Sequence, residues 1–202
     1  MVEIKDHSKS YSRGAYWAKR SDLLYYKYVD YVIRTVARDA TSLVDIGTGN
    51  SPYLEWFDWI DDKASVDIAN PYESENVRPI EGNILDIKLD KTFDFCTCLQ
   101  VLEHVEKPKE FARRLFEIAN HVVISVPYMW TPGTVKGHVN DPVSLQKLTS
   151  WVGKEPNYYL RVKEPFRKRN AERLIAVYLG DNPPMEGAFN FNERRAERVK
   201  EI

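Results

Sequence analysis

The chain has 202 residues, a formal net charge of −1 and a hydrophobic fraction of 43%. This length fits a single domain that buries its own core without disulfides or metals. The near balance of 29 basic and 30 acidic residues argues against a nucleic-acid partner held by a broad basic field. No apolar run approaches the roughly 18 residues of a membrane span.

The cysteines and the N-terminal residues indicate in which cellular compartment the protein is expected. Cys96 and Cys98 are the only cysteines and are one residue apart, which makes a poor structural disulfide, and no histidine pair completes a zinc site. We interpret both as small apolar side chains on one face of a strand. The first 14 residues are polar and lack the apolar core of a signal peptide. These features predict a cytoplasmic protein without a metal site.

The first predicted element is a helix over residues 21–38, with Ser21 as its N-cap. Its apolar stripe consists of Tyr25, Val29, Val32 and Val36, widened by Leu24, Tyr28 and Tyr31. A buried strand follows at residues 42–46. Ser51 and Pro52 then predict the start of a helix, whose apolar face is Tyr53, Trp56, Phe57 and Ile60.

The middle of the chain continues this alternation. Residues 64–68 predict a second strand, whereas two prolines make residues 70–82 a loop with at most a short helix. An apolar strand at residues 93–99, a helix that begins at Pro108 and a strand at residues 121–126 come next. Strands that alternate with helices at this spacing predict an α/β fold, a parallel sheet with helices on both faces.

The last third has a different pattern. A short helix is predicted within residues 141–151, and two strand-like runs at residues 158–164 and 173–179 are separated by a polar turn. This is a hairpin signal. The sequence therefore predicts about five parallel strands followed by an antiparallel pair.

A glycine loop lies between the first predicted strand and the helix after it, in the stretch Val44-Asp45-Ile46-Gly47-Thr48-Gly49. Glycines there allow a tight turn and a close approach to a ligand. Asp67 ends the next strand, where a carboxylate can accept hydrogen bonds from a ribose diol. Pro52 replaces the third glycine of a dinucleotide motif, and Asp45 would repel a pyrophosphate but suit an ammonium group. The loop therefore favours a ligand with a cationic amino-acid end.

These motifs resemble those of the class I S-adenosylmethionine-dependent methyltransferases, in the methyltransferase-11/UbiE-like branch. The resemblance continues in SVDI at residues 65–68, in EGNIL at residues 81–85 and in residues 93–105, where QVLEHV follows the predicted strand at 93–99, which matches the fourth strand of that family. A departure is Asn50-Ser51, where many members have a third glycine. The resemblance implies a Rossmann-like, seven-stranded, mostly parallel sheet with an antiparallel C-terminal strand pair, and S-adenosylmethionine as the cofactor.

The resemblance also implies the cofactor-binding residues. The glycine loop would run under the amino-acid part of the cofactor, Asp45 would face its ammonium group, and Asp67 would hold the ribose hydroxyls. The remaining positions are Gly47, Thr48 and Gly49 in the loop, Ile68 on the adenine, Asn83 and Ile84 at the adenine edge, Gln100 and Val101 at the methionine arm, and His104 nearby. Three alternatives stay open: a solvated strand end for Asp67, a plain turn residue for Asn83, and a solvent-facing position for His104.

The leader is rich in aromatics, since seven of the 25 in the chain fall within the first 31 residues. Tyr16, Trp17 and Arg20 resemble the leader of related enzymes, in which an aromatic residue and an arginine close over the cofactor. Packing against the helix is the alternative for both aromatics. We expect a single domain made of a lid and helix at residues 1–40, a core at 41–185 and a charged tail at 186–202.

Methyl transfer from a sulfonium needs alignment, water exclusion and a base if the acceptor is a hydroxyl. His138 is the best candidate base, because its loop follows the predicted strand at residues 121–126, and ligands bind beyond the carboxyl ends of parallel strands. Asp141 would orient the imidazole, and Tyr128 and Trp130 would line the acceptor pocket. A loop histidine without a role is the alternative. We predict metal-independent O-methylation of a small hydroxylated or sugar-like acceptor.

Other functions remain as alternatives. A catalytically inactive S-adenosylmethionine-binding partner protein and an NAD-dependent oxidoreductase both fit a glycine loop followed by an acid. DNA adenine methylation is disfavoured, because its (D/N)PP(Y/F) loop must follow the fourth strand. The similar stretches here lie at residues 70–72 and 182–185, outside that position.

Overall fold

The computed structural model describes residues 15–167 and 171–180. The helices are α1 (Ala15–Ala18), α2 (Leu24–Val36), α3 (Pro108–Ile118) and α4 (Leu145–Val152), and the strands are β1 (Ser42–Ile46), β2 (Asp62–Asp67), β3 (Val77–Glu81), β4 (Phe93–Leu99), β5 (Ala119–Pro127), β6 (Tyr158–Lys163) and β7 (Glu172–Tyr178). Short 3-10 helices occupy Pro52–Trp56 and Leu102–His104. Among the described residues, none of the helices has the length and apolarity that a membrane crossing requires.

The seven strands form one sheet of order β3-β2-β1-β4-β5-β7-β6. Strands β1 to β5 pair in parallel, whereas β7 runs antiparallel to both β5 and β6. The predicted mostly parallel sheet with an antiparallel C-terminal pair is therefore confirmed. The strand order reverses between β1 and β4, so the carboxyl ends of these neighbouring strands open a crevice that suits a ligand.

Both faces of the sheet are covered, because successive strand residues point to opposite sides. On one face, Leu43 and Phe95 belong to the buried cluster that contains the apolar stripe of α2. On the other face, Cys96 and Cys98 belong to the cluster that contains Leu115 of α3 and buried residues of α4. The predicted placement of helices on both faces, and of the two cysteines on one face, is confirmed.

Helix α2 begins at Leu24, three residues after the predicted cap Ser21. Its N-cap residue Leu23 offers no side-chain hydrogen bond. The carboxylate of Glu164 accepts instead from the backbone N–H groups of Leu24 at 3.1 Å and of Tyr25 at 2.9 Å. The cap therefore comes from the end of β6, about 140 residues along the chain, which no local pattern could predict.

The buried stripe of α2 contains Tyr25, Val29, Val32 and Val36 as predicted. The three residues expected to widen it are exposed, which corrects that part of the prediction; they are Leu24, Tyr28 and Tyr31. The stripe widens on its other side, where Tyr26 and Ile33 are buried.

Two predicted elements differ from the structure. The helix expected after Ser51 is the 3-10 helix Pro52–Trp56, although Phe57 and Ile60 are buried as its apolar pattern required. The loop expected at residues 70–82 contains strand β3, with Pro79 in its middle. Proline is tolerated there because β3 lies at the edge of the sheet, where one side of the strand needs no hydrogen-bond donors.

The leader packs against the body of the protein. The ring of Trp17 in α1 lies 4.9 Å from that of Tyr26 and 5.6 Å from that of Trp56. The C-terminal hairpin reaches the same region, since Nη2 of Arg167 donates to the carbonyl of Lys19 at 3.0 Å. The described part of the leader, residues 15–20, is therefore held by α2, by the 3-10 helix that contains Trp56 and by the hairpin.

Candidate active site

The glycine loop follows β1 and turns with Gly47 at φ +79° and Gly49 at φ +56°. A Cβ atom at Gly47 would lie 2.4 Å from Cγ2 of Val101, which follows β4. The N–H of Gly47 donates to the carbonyl of Val66 at 2.7 Å. Position 47 therefore requires glycine both for its backbone conformation and for its contact with the neighbouring loop.

Asp45 lies beneath this loop and is buried. Its Oδ1 accepts from the hydroxyls of Tyr53 at 2.5 Å and of Thr97 at 2.6 Å. Burial raises the pKa of Asp45 to about 6, and the hydrogen bonds from Thr97 and Tyr53 oppose that rise. One oxygen of the acid predicted to face the cofactor ammonium is thus already engaged by two hydroxyls, a contact the sequence gave no sign of.

Thr48 and Asp67 join the loop to the end of β2. The hydroxyl of Thr48 accepts from that of Ser65 at 2.9 Å. Oδ2 of Asp67 accepts from the N–H of Gly49 at 3.0 Å, and Oδ1 accepts from the two backbone N–H groups of residues 69 and 70. The carboxylate therefore lies at the mouth of the crevice, beside the glycine loop.

Ile68 and the turn after β3 continue this side of the crevice. Ile68 is 68% exposed, so an apolar side chain stands in solvent beside Asp67. Asn83 forms a local turn in which its side chain accepts from Leu85 N–H at 3.1 Å and donates to Asp86 at 2.9 Å. Ile84 is 2% exposed and belongs to the core. Of these residues, Ile68 is the one that presents an open apolar surface.

Gln100 directly follows β4, has φ +61° and is held by Ser125 of β5. Its N–H donates to the Ser125 carbonyl at 2.9 Å, and its Nε2 donates to the Ser125 hydroxyl at 3.1 Å. The hydroxyls of Ser125 and Tyr25 are 2.5 Å apart and share a hydrogen bond. A network therefore links α2 to the ends of β4 and β5, through two residues that the motif analysis missed.

The loop after β5 brings the predicted base and its partner together. Nδ1 of His138 donates to Oδ2 of Asp141 at 2.6 Å, and their side chains are only 5% and 1% exposed. The indole of Trp130 stacks on the imidazole with ring centres 5.7 Å apart. Its Nε1 donates to the carbonyl of Glu172 at 2.8 Å. The imidazole of His138 is thus oriented by the carboxylate of Asp141 and covered by the indole ring of Trp130.

Tyr128 occupies the base of the same loop. Its N–H donates to the carbonyl of Glu172 at 2.9 Å, and the guanidinium of Arg161 lies 4.9 Å from its ring centre. Both predicted acceptor-pocket residues, Tyr128 and Trp130, are therefore anchored on the first residue of β7.

Glu103 is a further candidate site residue, which the sequence analysis included only as part of the QVLEHV stretch. It is 1% exposed, and its Oε2 has no hydrogen-bond partner among the described residues. Burial raises the pKa of Glu103 to about 8, and the nearby charge of Asp141 adds to that rise. A buried carboxyl oxygen without a hydrogen-bond partner is costly, which makes Glu103 a candidate functional residue.

Glu103, His104 and His138 each offer one ligand atom, and these atoms lie within 4.8 Å of one another. Nδ1 of His104 donates to the carbonyl of Gly137 at 3.0 Å, as Nδ1 of His138 does to Asp141. Metal-binding histidines usually have such an outer partner. The sequence predicted no metal, but the fold assembles a group of donors suited to a divalent cation.

The leader is described only in part. Arg20 is half-buried in the turn between α1 and α2, and its N–H donates to the carbonyl of Trp17 at 2.8 Å. Tyr16 belongs to α1, but its side chain lies outside the described part, as do Tyr11, His7 and the tail at residues 186–202. The predicted lid is therefore represented here by Trp17 and Arg20.

Comparisons with known proteins agree with this geometry. A family model described as a methyltransferase domain matches residues 16–172. A ubiquinone biosynthesis O-methyltransferase of Rickettsia bellii is 26% identical over 106 residues, which are 51% of this chain and 44% of that protein. The chain thus spans less than half of the length of this curated relative.

Solved structures share the fold. A 1,6-didemethyltoxoflavin-N1-methyltransferase of Burkholderia thailandensis, solved with bound 1,6-didemethyltoxoflavin and S-adenosylhomocysteine, has a TM-score of 0.61 and 17% identity over 78% of each chain. The N-methyltransferase NodS of Bradyrhizobium japonicum, solved with S-adenosylhomocysteine, has a TM-score of 0.63 and 10% identity over 81% of this chain and 91% of its own. At these identities the likeness concerns the fold.

The glycine loop yields a first prediction. Gly47→Ala should lower the free energy of unfolding by about 1–2 kcal/mol for the positive φ and by a further ~1–3 kcal/mol for overpacking against Val101. Gly133→Ala is the matched control, because Gly133 has φ +76° but nothing within 4 Å of a Cβ. Urea unfolding of both variants measures the difference. An equal loss of unfolding free energy in both variants would mean that the contact with Val101 does not restrict position 47 to glycine.

Proposed function

The chain belongs to the class I S-adenosylmethionine-dependent methyltransferases, and we propose that it methylates an oxygen of a small hydroxylated or sugar-like acceptor in the cytoplasm. The observation that carries this proposal is the buried His138–Asp141 pair in the loop after β5. A base oriented by a carboxylate is what removal of a hydroxyl proton requires. The name of the Rickettsia relative also favours oxygen as the acceptor atom.

S-Adenosylmethionine is the cofactor, and the crevice between the ends of β1 and β4 is its proposed site. Asp67 binds the ribose hydroxyls, and Ile68 packs on the adenine. The glycine loop and Gln100 surround the methionine part, with Asp45 beneath it. Tyr16 and Arg20 close over it from residues 1–40, which form a lid and helix on the core at 41–185. The other proposed contacts are Gly47, Thr48, Gly49, Asn83, Ile84, Val101 and His104.

The proposed reaction is an in-line displacement. Bound S-adenosylmethionine would supply a methyl group on a sulfonium: a C–O bond to the acceptor oxygen would form as the S–C bond breaks, and the bonding electrons would stay on sulfur as a neutral thioether. Nε2 of His138 takes the hydroxyl proton, because Nδ1 is engaged by Asp141. The carboxylate of Asp141 then stabilises the imidazolium. Trp130 and Tyr128 exclude water and position the acceptor.

A labelling experiment tests the acceptor class. Purified protein with methyl-labelled S-adenosylmethionine and a cell extract should place label mainly in the small-molecule fraction, in products that resist mild base as ethers do. Label found mainly in protein or nucleic acid would contradict the proposal. No label in any fraction, despite binding of S-adenosylhomocysteine, would favour the alternative of an inactive cofactor-binding partner protein.

Removal of the base should separate catalysis from cofactor binding. His138→Ala should reduce turnover by about 100-fold or more, while Asp141→Asn, which leaves the imidazole in place, should cost less. Both variants should bind S-adenosylhomocysteine as the parent does, measured by calorimetry. Unchanged kcat in His138→Ala would remove His138 as the base.

A second candidate chemistry rests on the group of Glu103, His104 and His138. A divalent cation held there would draw an acceptor oxygen to itself and lower the pKa of that hydroxyl. In this chemistry Nε2 of His138 serves as a ligand and takes no proton. Because Nε2 of His138 cannot bind a metal ion and accept a proton at the same time, the two candidate chemistries exclude each other.

A chelator distinguishes them. Since a histidine base needs no metal, turnover should be unchanged after treatment with EDTA and gel filtration, and Mn²⁺ should not be retained in electron paramagnetic resonance titrations. Two results together would favour the metal-assisted reaction over the histidine base. EDTA treatment would abolish turnover and Mn²⁺, Mg²⁺ or Zn²⁺ would restore it, and Glu103→Gln would abolish the binding of Mn²⁺.

A further inference from the structure

Arg173 lies at the start of β7, opposite Pro127 at the end of β5. Its guanidinium carbon is 5.2 Å from the ring centre of Tyr25 and 5.5 Å from that of Trp130. The side chain is only 12% exposed. A cation is therefore held against two aromatic rings inside the acceptor region.

The charge of Arg173 is only partly compensated. Its Nη1 is buried and has no hydrogen-bond partner among the described residues. The nearest carboxylate oxygen, Oε1 of Glu164, is 3.8 Å away, and the two oxygens of Glu164 already accept from the start of α2. Glu103 is within electrostatic range of Arg173 but accepts no hydrogen bond from Nη1. A buried guanidinium with an unused donor is costly unless a ligand supplies the acceptor.

Arg161 shows what an ordinary arginine of the same hairpin does. It is half-exposed, and its Nε lies 3.2 Å from Oε1 of Glu172. That surface ion pair contributes little and needs no ligand. The burial of Arg173 is therefore a property of its place over the strand ends and not of the hairpin as a whole.

The surroundings of Arg173 relate it to both halves of the site. Tyr25 shares a hydrogen bond with Ser125, which in turn holds Gln100 at the proposed methionine arm. Trp130 stacks on His138. The guanidinium thus contacts Tyr25, which is linked to the proposed cofactor site, and Trp130, which packs on the proposed base. An acceptor whose hydroxyl faces His138 beside the cofactor has another part of its structure near this guanidinium.

We propose that Arg173 binds an oxyanion group, a carboxylate or a phosphate, on the acceptor. This inference rests on the proposed function and deepens it: the substrate is a hydroxylated acid or phosphate ester and not a neutral sugar. The planar fork of arginine matches both oxyanions. Fixed at that end, the acceptor presents its hydroxyl to His138, whose imidazole Trp130 also contacts.

The charge of the labelled product tests this inference. Label from methyl-labelled S-adenosylmethionine should enter a small-molecule product that anion exchange retains at pH 8, and phosphatase treatment of that product separates a phosphate from a carboxylate. A labelled small product that passes unretained would overturn the inference but leave the methyltransferase proposal standing. Absence of any label would instead overturn the proposed function, and with it the inference.

Variants extend the test. Arg173→Gln should raise the KM for the acceptor fraction by at least about 10-fold, since a charge-assisted hydrogen bond is lost, and Arg173→Lys should fall between it and the parent. Binding of S-adenosylhomocysteine should be unchanged by calorimetry, which shows that the site is still folded. Arg113→Gln on the exposed side of α3 controls for loss of a positive charge. An unchanged KM in Arg173→Gln would overturn the inference.

Discussion

The close contact between the loops after β1 and β4 is the constraint on which the site depends. A side chain at Gly47 would collide with Val101, so the two loops can approach only because position 47 has no Cβ atom. This contact lies at the point where the strand order reverses. Glu103 and His104 are two and three residues beyond Val101 in the same segment. Gly47 therefore contacts a segment that carries residues proposed for both the cofactor side and the acceptor side.

The C-terminal hairpin completes the site from the opposite side. The carbonyl of Glu172 accepts from both Tyr128 and Trp130, so β7 positions the loop that carries His138. Glu164 caps α2, and Arg167 holds the turn before it. The antiparallel pair therefore connects the leader to the acceptor loop through hydrogen bonds in which at least one partner is a backbone group. A purely parallel sheet would lack these connections.

Two buried acids illustrate how hydrogen-bond donors change the ionisation of a buried carboxyl group. Asp45 and Glu103 are equally buried, but Asp45 accepts from two hydroxyls, whereas one oxygen of Glu103 has no partner among the described residues. Burial accordingly raises the pKa of Glu103 to about 8 and that of Asp45 only to about 6. The donors around Asp45 stabilise its charge and hold the base of the glycine loop, while Glu103 keeps an unsatisfied oxygen at the acceptor side.

Local patterns in the sequence determined six of the seven strands, the α/β class, the glycine loop and the placement of His138 near Asp141, because period, turn residues and short spacings are encoded within a few positions. They missed β3, whose Pro79 is tolerated only at a sheet edge, and the cap of α2, which comes from Glu164. Tertiary structure alone decided that Glu103, His104 and His138 converge and that Arg173 lies between Tyr25 and Trp130. These contacts join residues far apart in the chain, and only the strand order brings them to one edge of the sheet.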